Sequence, residues 1–257
     1  MYAVITGASS GIGKSFAGLL AKEGYDLVLI ARSEDVLKSI AAGVKKEYGR
    51  ESLIIKADLS RKKEVIRSFN EFKKLDVEIF INNAGFGDLG RFYETDLDKD
   101  LSMLKVNVNA VHIFSKLMIR YFKERGTGYI LNVGSSAGLL PAGPYMATYY
   151  ASKSYVVSLT KALARELKNE KSKVYIGVLC PGPVDTNFNN VANVSFALPG
   201  ITAKYCASYA YKKMKAKKTV IVPTFIIQFV CFIWRFVPEN IVIASIGMQQ
   251  KRKLNKR

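Results

Sequence analysis

The chain has 257 residues, 49% apolar and 23% charged, with 19 Gly and 7 Pro; this composition excludes disordered, collagenous and low-complexity chains and leaves room for a large core. Its formal charge is +18, concentrated late: the last 57 residues hold twelve Lys/Arg against one acid, Glu239, a balance of +11, while the first 200 balance at +7. Three widely spaced cysteines (Cys180, Cys206, Cys231) fit neither a disulfide framework nor a zinc knuckle, and one histidine, His112, cannot carry a metal site without convergent partners, so no metal is expected.

In chain order, β-branched runs at 2–5, 26–31, 52–57, 78–82, 128–134, 173–179 and 219–222 predict strands. Segments of helical period at 12–23, 34–48, 61–75, 98–125, 149–171 and 203–216 predict helices, and two further apolar stretches follow 224. Such alternation means βαβ units. It predicts an α/β fold: a single doubly wound, Rossmann-like sheet of seven parallel strands with helices on both faces, followed by C-terminal apolar and basic helices. The Rossmann-type domain is expected over 1–222 and the extension over 223–257. Because Tyr2-Ala3-Val4-Ile5 enters apolar sequence without a charged leader or cleavage site, a cytoplasmic location is expected.

The first strand runs into Thr6-Gly7-Ala8-Ser9-Ser10-Gly11-Ile12-Gly13. Spaced glycines at this turn let the backbone approach a pyrophosphate, and the following helix N-terminus supplies N–H donors and a positive dipole. A merely structural turn is the other reading. The second strand ends at Ala31-Arg32, where NAD-binding folds place a carboxylate for the ribose 2′-OH. With the acid absent and a guanidinium present, NADP(H) is expected, with NAD(H) used less well. Farther on, Tyr149 and Lys153 lie one helical turn apart, so an ammonium beside the phenol is expected to lower its pKa. Ser135, at the end of an apolar strand, can face the same crevice.

Five ordered pieces now resemble the short-chain dehydrogenase/reductase family over residues 2 to about 222: TGASSGIG at 6–13, Asp58-Leu59 after the third strand, Asn82-Asn83-Ala84-Gly85 after the fourth, Ser135 with Tyr149 and Lys153, and Pro181-Gly182-Pro183-Val184-Asp185-Thr186 after the sixth. The resemblance implies that Tyr149 is the general acid/base, that Ser135 holds the substrate oxygen, and that Lys153 lowers the Tyr149 pKa and bonds the nicotinamide ribose. It implies that Asn107 anchors a water in the proton relay. Asp58 and Leu59 would meet adenine, Asn83, Ala84 and Gly85 the ribose region, and Pro181, Gly182, Val184 and Thr186 the nicotinamide end. Gly7, Ser9, Ser10, Gly11, Ile12, Gly13 and Arg32 would hold the phosphates, although position 10, often basic in NADP-preferring relatives, is here Ser10.

Substrate is expected over Phe86, Leu139, Leu140, Tyr145, Met146 and the segment 188–198; few charges occur there, which points to a small hydrophobic ketone or alcohol, though Leu139 and Leu140 equally suit the core. The tail departs from the minimal fold. Its fifteen-residue apolar run at 220–234 contains Pro223 and Gln228 and is too short to cross a bilayer. It lies between the lysine-rich clusters at 212–218 and 251–257, so it either packs on the domain or makes peripheral contact with an anionic membrane through 212–257, at the inner face. The tail is similar to that of a bacterial subgroup of broad specificity, and to membrane-associated 3-oxoacyl and hydroxysteroid reductases. An extra helix covering one face of the family's usual tetramer leaves a homodimer as the expected assembly. Two other classes, a non-catalytic cofactor-binding regulator and a nucleic-acid-binding protein, face the intact Ser135, Tyr149, Lys153 and Asn107 set and a tail without a stacking module; no nucleic acid is expected.

Overall fold

The computed structural model describes residues 1–186 and 200–254. In chain order the elements are β1 (Tyr2–Thr6), α1 (Gly11–Lys22), β2 (Asp26–Ala31), α2 (Glu34–Tyr48), β3 (Ser52–Lys56), α3 (Lys62–Phe72), β4 (Val77–Asn82), α4 (Leu97–Leu104), α5 (Val111–Arg125), β5 (Gly128–Val133) and α6 (Ala147–Asn169). Then come β6 (Val174–Leu179), β7 (Val184–Asp185), β8 (Ile201–Thr202), α7 (Ala203–Lys215), β9 (Val220–Ile221), α8 (Phe225–Ile233) and α9 (Glu239–Leu254).

Seven strands form one sheet in the order β3-β2-β1-β4-β5-β6-β9, every pairing parallel. The strand alternation explains why both faces must be covered. Ala3, Ile5, Leu27, Leu29, Ile79 and Ile81 enter one core cluster, while the residues between them, Val4, Val28, Ile30 and Phe80, enter the other. Phe80 anchors the second core, its ring 5.1 Å from that of Phe114 and 6.1 Å from that of Phe72. The helices end as their sequences direct. α2, for example, starts with Glu34 and Asp35, finishes with Lys45 and Lys46, and stops at Gly49 in the left-handed region at φ 68°. Strand order reverses between β1 and β4, which opens a crevice at the carboxyl ends there.

The structure departs from the sequence reading in three places. The single helix expected at 98–125 is α4 and α5 joined through a π-helical stretch, Lys105–Ala110, which periodicity alone does not reveal. A small parallel pair, β7 with β8, was not expected; it brackets 187–199, so the substrate segment expected at 188–198 lies outside the described residues. The basic cluster at 212–218 does not flank the apolar helix in space. Lys215 pairs with Glu78 at 3.3 Å near the start of β4, and the Lys218 carbonyl accepts from Tyr175 Oη at 2.7 Å, so this cluster sits at the amino-terminal edge of the sheet, away from α8 beyond the carboxyl end of β9. Among the described residues, no helix is long and apolar enough to cross a membrane.

Candidate active site

The carboxyl ends of the strands open into a cleft of about 1090 Å³. Every site residue expected from sequence lines it except Gly13 and Asn107. These two stand directly behind the wall.

Gly7 turns the chain out of β1 at φ +64°, and its N–H donates to Ile30 O at 2.8 Å. A Cβ on Gly13 would sit on the Gly7 carbonyl, so only glycine lets α1 approach the loop this closely. Ser10, the N-cap of α1, makes no side-chain capping bond, which leaves its hydroxyl to a ligand at the helix N-terminus. Thr6 Oγ1 accepts from Asn83 N at 2.9 Å and Ala84 N at 3.0 Å. The Asn83 side chain donates to Thr6 O at 2.9 Å and Gly7 O at 3.2 Å, so its amide fastens the glycine loop to the end of β4 and is not aimed at a ribose. Any ribose contact from this position falls to the backbone.

Arg32, exposed, leaves the end of β2 into the cleft mouth, close enough to Asp58 to act on its charge. Burial raises the Asp58 carboxyl; the hydrogen bond from Ser60 and the charges of Arg61 and Arg32 outweigh it and hold the group below its usual value.

At the other end of this wall β5 delivers Ser135, whose hydroxyl accepts from Ala137 N at 3.1 Å and is hydrogen-bonded to Tyr149. Tyr149 and Lys153, 8% and 4% exposed, share one face of α6. Lys153 Nζ donates to Val133 O at 3.0 Å and lies 5.8 Å from the centre of the Tyr149 ring. The expected lowering of the phenol by Lys153 is not what dominates. Burial pushes Tyr149 up to about 12, with the Ser135 bond pulling the other way, and burial pushes Lys153 down to about 8. Asn107, in the π-helical stretch, spends its side chain internally: Nδ2 donates to Phe86 O at 2.8 Å and to Ser152 Oγ at 3.0 Å, and Oδ1 accepts from Phe86 N at 3.1 Å. A Cβ on Gly85 would meet Asn107 Oδ1 at 2.9 Å and Lys153 Nζ at 3.2 Å, so this glycine lets the two side chains close up behind the cleft.

Sequence reasoning missed the frame behind these groups. Asn82 donates to Asn132 Oδ1 and to Val111 O, both at 3.2 Å, and Asn132 donates to Thr160 at 2.9 Å, a buried polar chain that ties β4, β5, α5 and α6 together. It also missed the far wall. α8 contributes Ile227, Val230 and Cys231, the following residue contributes Trp234, and α9 contributes Gln250. Gln228 Nε2 donates to Val222 O at 2.8 Å, and Ile227 lies over Gly182, within 2.9 Å of where a Cβ would stand, so α8 leans on the loop after β6. Of the expected substrate contacts, Phe86, Leu140 and Met146 line the cleft. Leu139 packs on the core cluster of Val111 and Val156, and Tyr145 packs against Leu89 and Met146. His112 bonds the Tyr155 hydroxyl at 2.7 Å. Among the described residues no cluster of His, Cys, Asp and Glu could hold a metal, and Cys180, Cys206 and Cys231 form no disulfide.

Residues 1–195 match the sequence profile described as short chain dehydrogenase. The chain is 32% identical over 203 residues to a very-long-chain 3-oxoacyl-CoA reductase of Anas platyrhynchos, an alignment covering 77% of this chain and 64% of that protein. It is 33% identical over 196 residues to the 17-beta-hydroxysteroid dehydrogenase type 3 of Homo sapiens, covering 76% and 62%. These alignments thus span less than two thirds of either relative. Among solved structures, a short-chain dehydrogenase from Sphingobium yanoikuyae in complex with NADPH superposes with a TM-score of 0.81 at 29% identity, covering 87% of this chain and 88% of that one.

Proposed function

The chain belongs to the short-chain dehydrogenase family, and from that premise we propose that it is an NADP(H)-dependent oxidoreductase interconverting an apolar ketone and its alcohol. The observation that carries this reading is the gathering of Ser135, Tyr149 and Lys153 on the wall of one cleft with the glycine loop and Arg32. The residues fit a dinucleotide. Gly7 and Gly13 leave a cradle that Cβ atoms would fill, the N-terminus of α1 faces it with a free Ser10 hydroxyl, and Arg32 suits a 2′-phosphate. The NADPH complex of the Sphingobium relative supports the same reading.

A bound nicotinamide supplies the hydride. The protein supplies the proton and the alignment. At neutral pH a phenol held near 12 keeps its hydrogen, so in ketone reduction Tyr149 Oη donates to the carbonyl oxygen as negative charge develops there. Ser135 Oγ, bonded to the same phenol, polarises the carbonyl and favours the phenolate left behind. Lys153, near 8, still carries its charge at pH 7 and offsets that phenolate. With its side chain committed, Asn107 serves through its grip on Phe86 and Ser152. NADPH carrying deuterium at the transferable position tests this: with an apolar ketone, the product alcohol should carry the label on its carbinol carbon. An unlabelled product, or no product from any ketone offered, would remove the reading.

The tail is read as an extension of the domain at 1–222 with two faces. Its inner face walls the cleft; Phe225, Phe229, Phe232 and Phe236 stay at least half exposed on the outer one. That ridge supports peripheral contact with a membrane, which co-flotation with anionic vesicles checks. Leu97, Leu101 and Leu104, exposed along one side of α4, support a homodimer, which sedimentation of Leu101→Glu checks.

A further inference from the structure

We propose that Gln250 reads a hydrogen-bond donor on the substrate, remote from the reacting carbonyl, and so favours apolar ketones that carry a hydroxyl at their far end. The inference rests on the oxidoreductase reading above and adds the class of substrate. Gln250 is 4% exposed and lines the cleft shared by Ser135 and Tyr149. Its Nε2 donates to Tyr150 Oη at 3.2 Å, whereas its Oε1 is buried with no hydrogen-bond partner. A buried amide oxygen left unpaired weakens a fold, and buried polar atoms are otherwise almost always satisfied. Because Gln250 lines the cleft, a ligand there that turns this amide toward itself can supply the missing donor.

The placement is fixed by packing. Val242 and Ile246, two turns and one turn back along α9, are buried in the cluster that contains Met146, Tyr149 and Tyr150, and Gly247 abuts Pro144 so closely that a Cβ there would stand 3.3 Å from its ring. Tyr150 follows the proton donor directly, their rings 6.4 Å apart and nearly perpendicular. Gln250 is therefore held one aromatic ring beyond Tyr149. The wall around it is carbon from Phe86, Leu140 and Met146 with the indole of Trp234, while Gln249, Arg252 and Lys253 of the same helix also line the cleft. An alkyl body is accepted by the apolar part of this wall, the Arg252 and Lys253 side chains can only donate, and the amide oxygen of Gln250 is the group here that asks for a donor. A hydroxyl satisfies it; an ether oxygen, which only accepts, does not.

The test uses straight-chain methyl ketones in matched sets whose far end is methyl, hydroxymethyl or methoxymethyl, offered to the full chain with NADP(H). Binding is followed by the fluorescence of Trp234, the single tryptophan, which lines the cleft, and turnover by kcat/KM. At the chain length that fits, the hydroxyl ketone should bind and react about tenfold or more better than the other two. In Gln250→Met the preference should fall to near one while the plain ketone binds at least as well. Equal binding of all three ketones by the unaltered chain at every length would overturn the inference, and this comparison stands even if the variant fails to fold. So would a preference that survives in Gln250→Met, or one shared by the methoxy ketone. The two readings separate cleanly. Preferential binding without turnover would keep the role of Gln250 and remove the oxidoreductase reading; equal turnover of all three would do the reverse.

Discussion

Under β1 and β2 the wall of the cleft is backbone: the Gly7 turn, the Gly13 contact and the Thr6–Asn83 bonds leave no space for any other arrangement. Opposite, beyond β9, the wall is made of side chains on two helices, with Ile227, Val230, Trp234 and Gln250 turned inward while phenylalanines of the same segment stay exposed. The first construction suits a ligand common to many proteins, since a backbone cradle recognises phosphate whatever the flanking residues are. The second suits a ligand particular to this one, because side chains on a helix can be exchanged without disturbing the sheet. If this division holds, substitutions under β1 should disturb nucleotide binding alone and substitutions beyond β9 should disturb substrate alone.

Gly13→Val puts carbon against the Gly7 carbonyl, displaces the loop and should weaken NADPH binding about 10²-fold or more in a nucleotide titration. Retained affinity would break the cradle argument. Arg32→Ala should raise the KM for NADPH about 10- to 150-fold while leaving that for NADH within a small factor, since a charge-assisted contact contributes roughly 1.5–3 kcal/mol. Trp234→Ala, on the far wall, should raise the KM for an apolar ketone about tenfold with the NADPH dissociation constant unchanged. A matching loss of NADPH affinity would merge the two regions into one.

The smallest expected effect concerns stability. Burial depresses the Lys153 pKa from its ordinary 10.5 to about 8, so the native state holds this proton less tightly than the unfolded chain does. The cost is fully present below pH 8 and disappears as pH rises toward 10.5. Lys153→Met should therefore be more stable than the parent at pH 7, by about 1–2 kcal/mol after the lost bond to Val133 is counted, and so melt at a higher temperature. That advantage should shrink when both are melted near pH 10. An advantage that is independent of pH would mean that the charge is not the cause.

The same division decides what could be read from sequence. Alternating β-branched and helical segments announce the parallel sheet, because the period changes from two to 3.6 at each element. The glycine loop announces itself because sterics allow no substitute. The π-helical stretch at Lys105–Ala110 does not, since it shares residue preferences with the α-helices on both sides. Lys212 to Lys218 and the apolar helix are neighbours in sequence, yet β9 runs between them and carries them to opposite edges, so charge arithmetic along the chain misplaces them. The mutual effect of Tyr149 and Lys153 also escapes a spacing argument. One helical turn predicts that the ammonium stabilises the phenolate; the depth at which both are buried makes desolvation the larger influence. Gln250 gives no local signal at all, for only the packing of α9 on Met146 and Pro144 turns it inward.

Tyr149→Phe measures the central claim most directly, because it removes one proton and almost no volume from the cleft. Paired measurements of kcat for ketone reduction and of the NADPH dissociation constant should show kcat lower by about 10²–10⁴-fold with nucleotide affinity unchanged. A variant that keeps more than about a tenth of the parent kcat would contradict Tyr149 as the proton donor, since a positioned acid contributes far more than that.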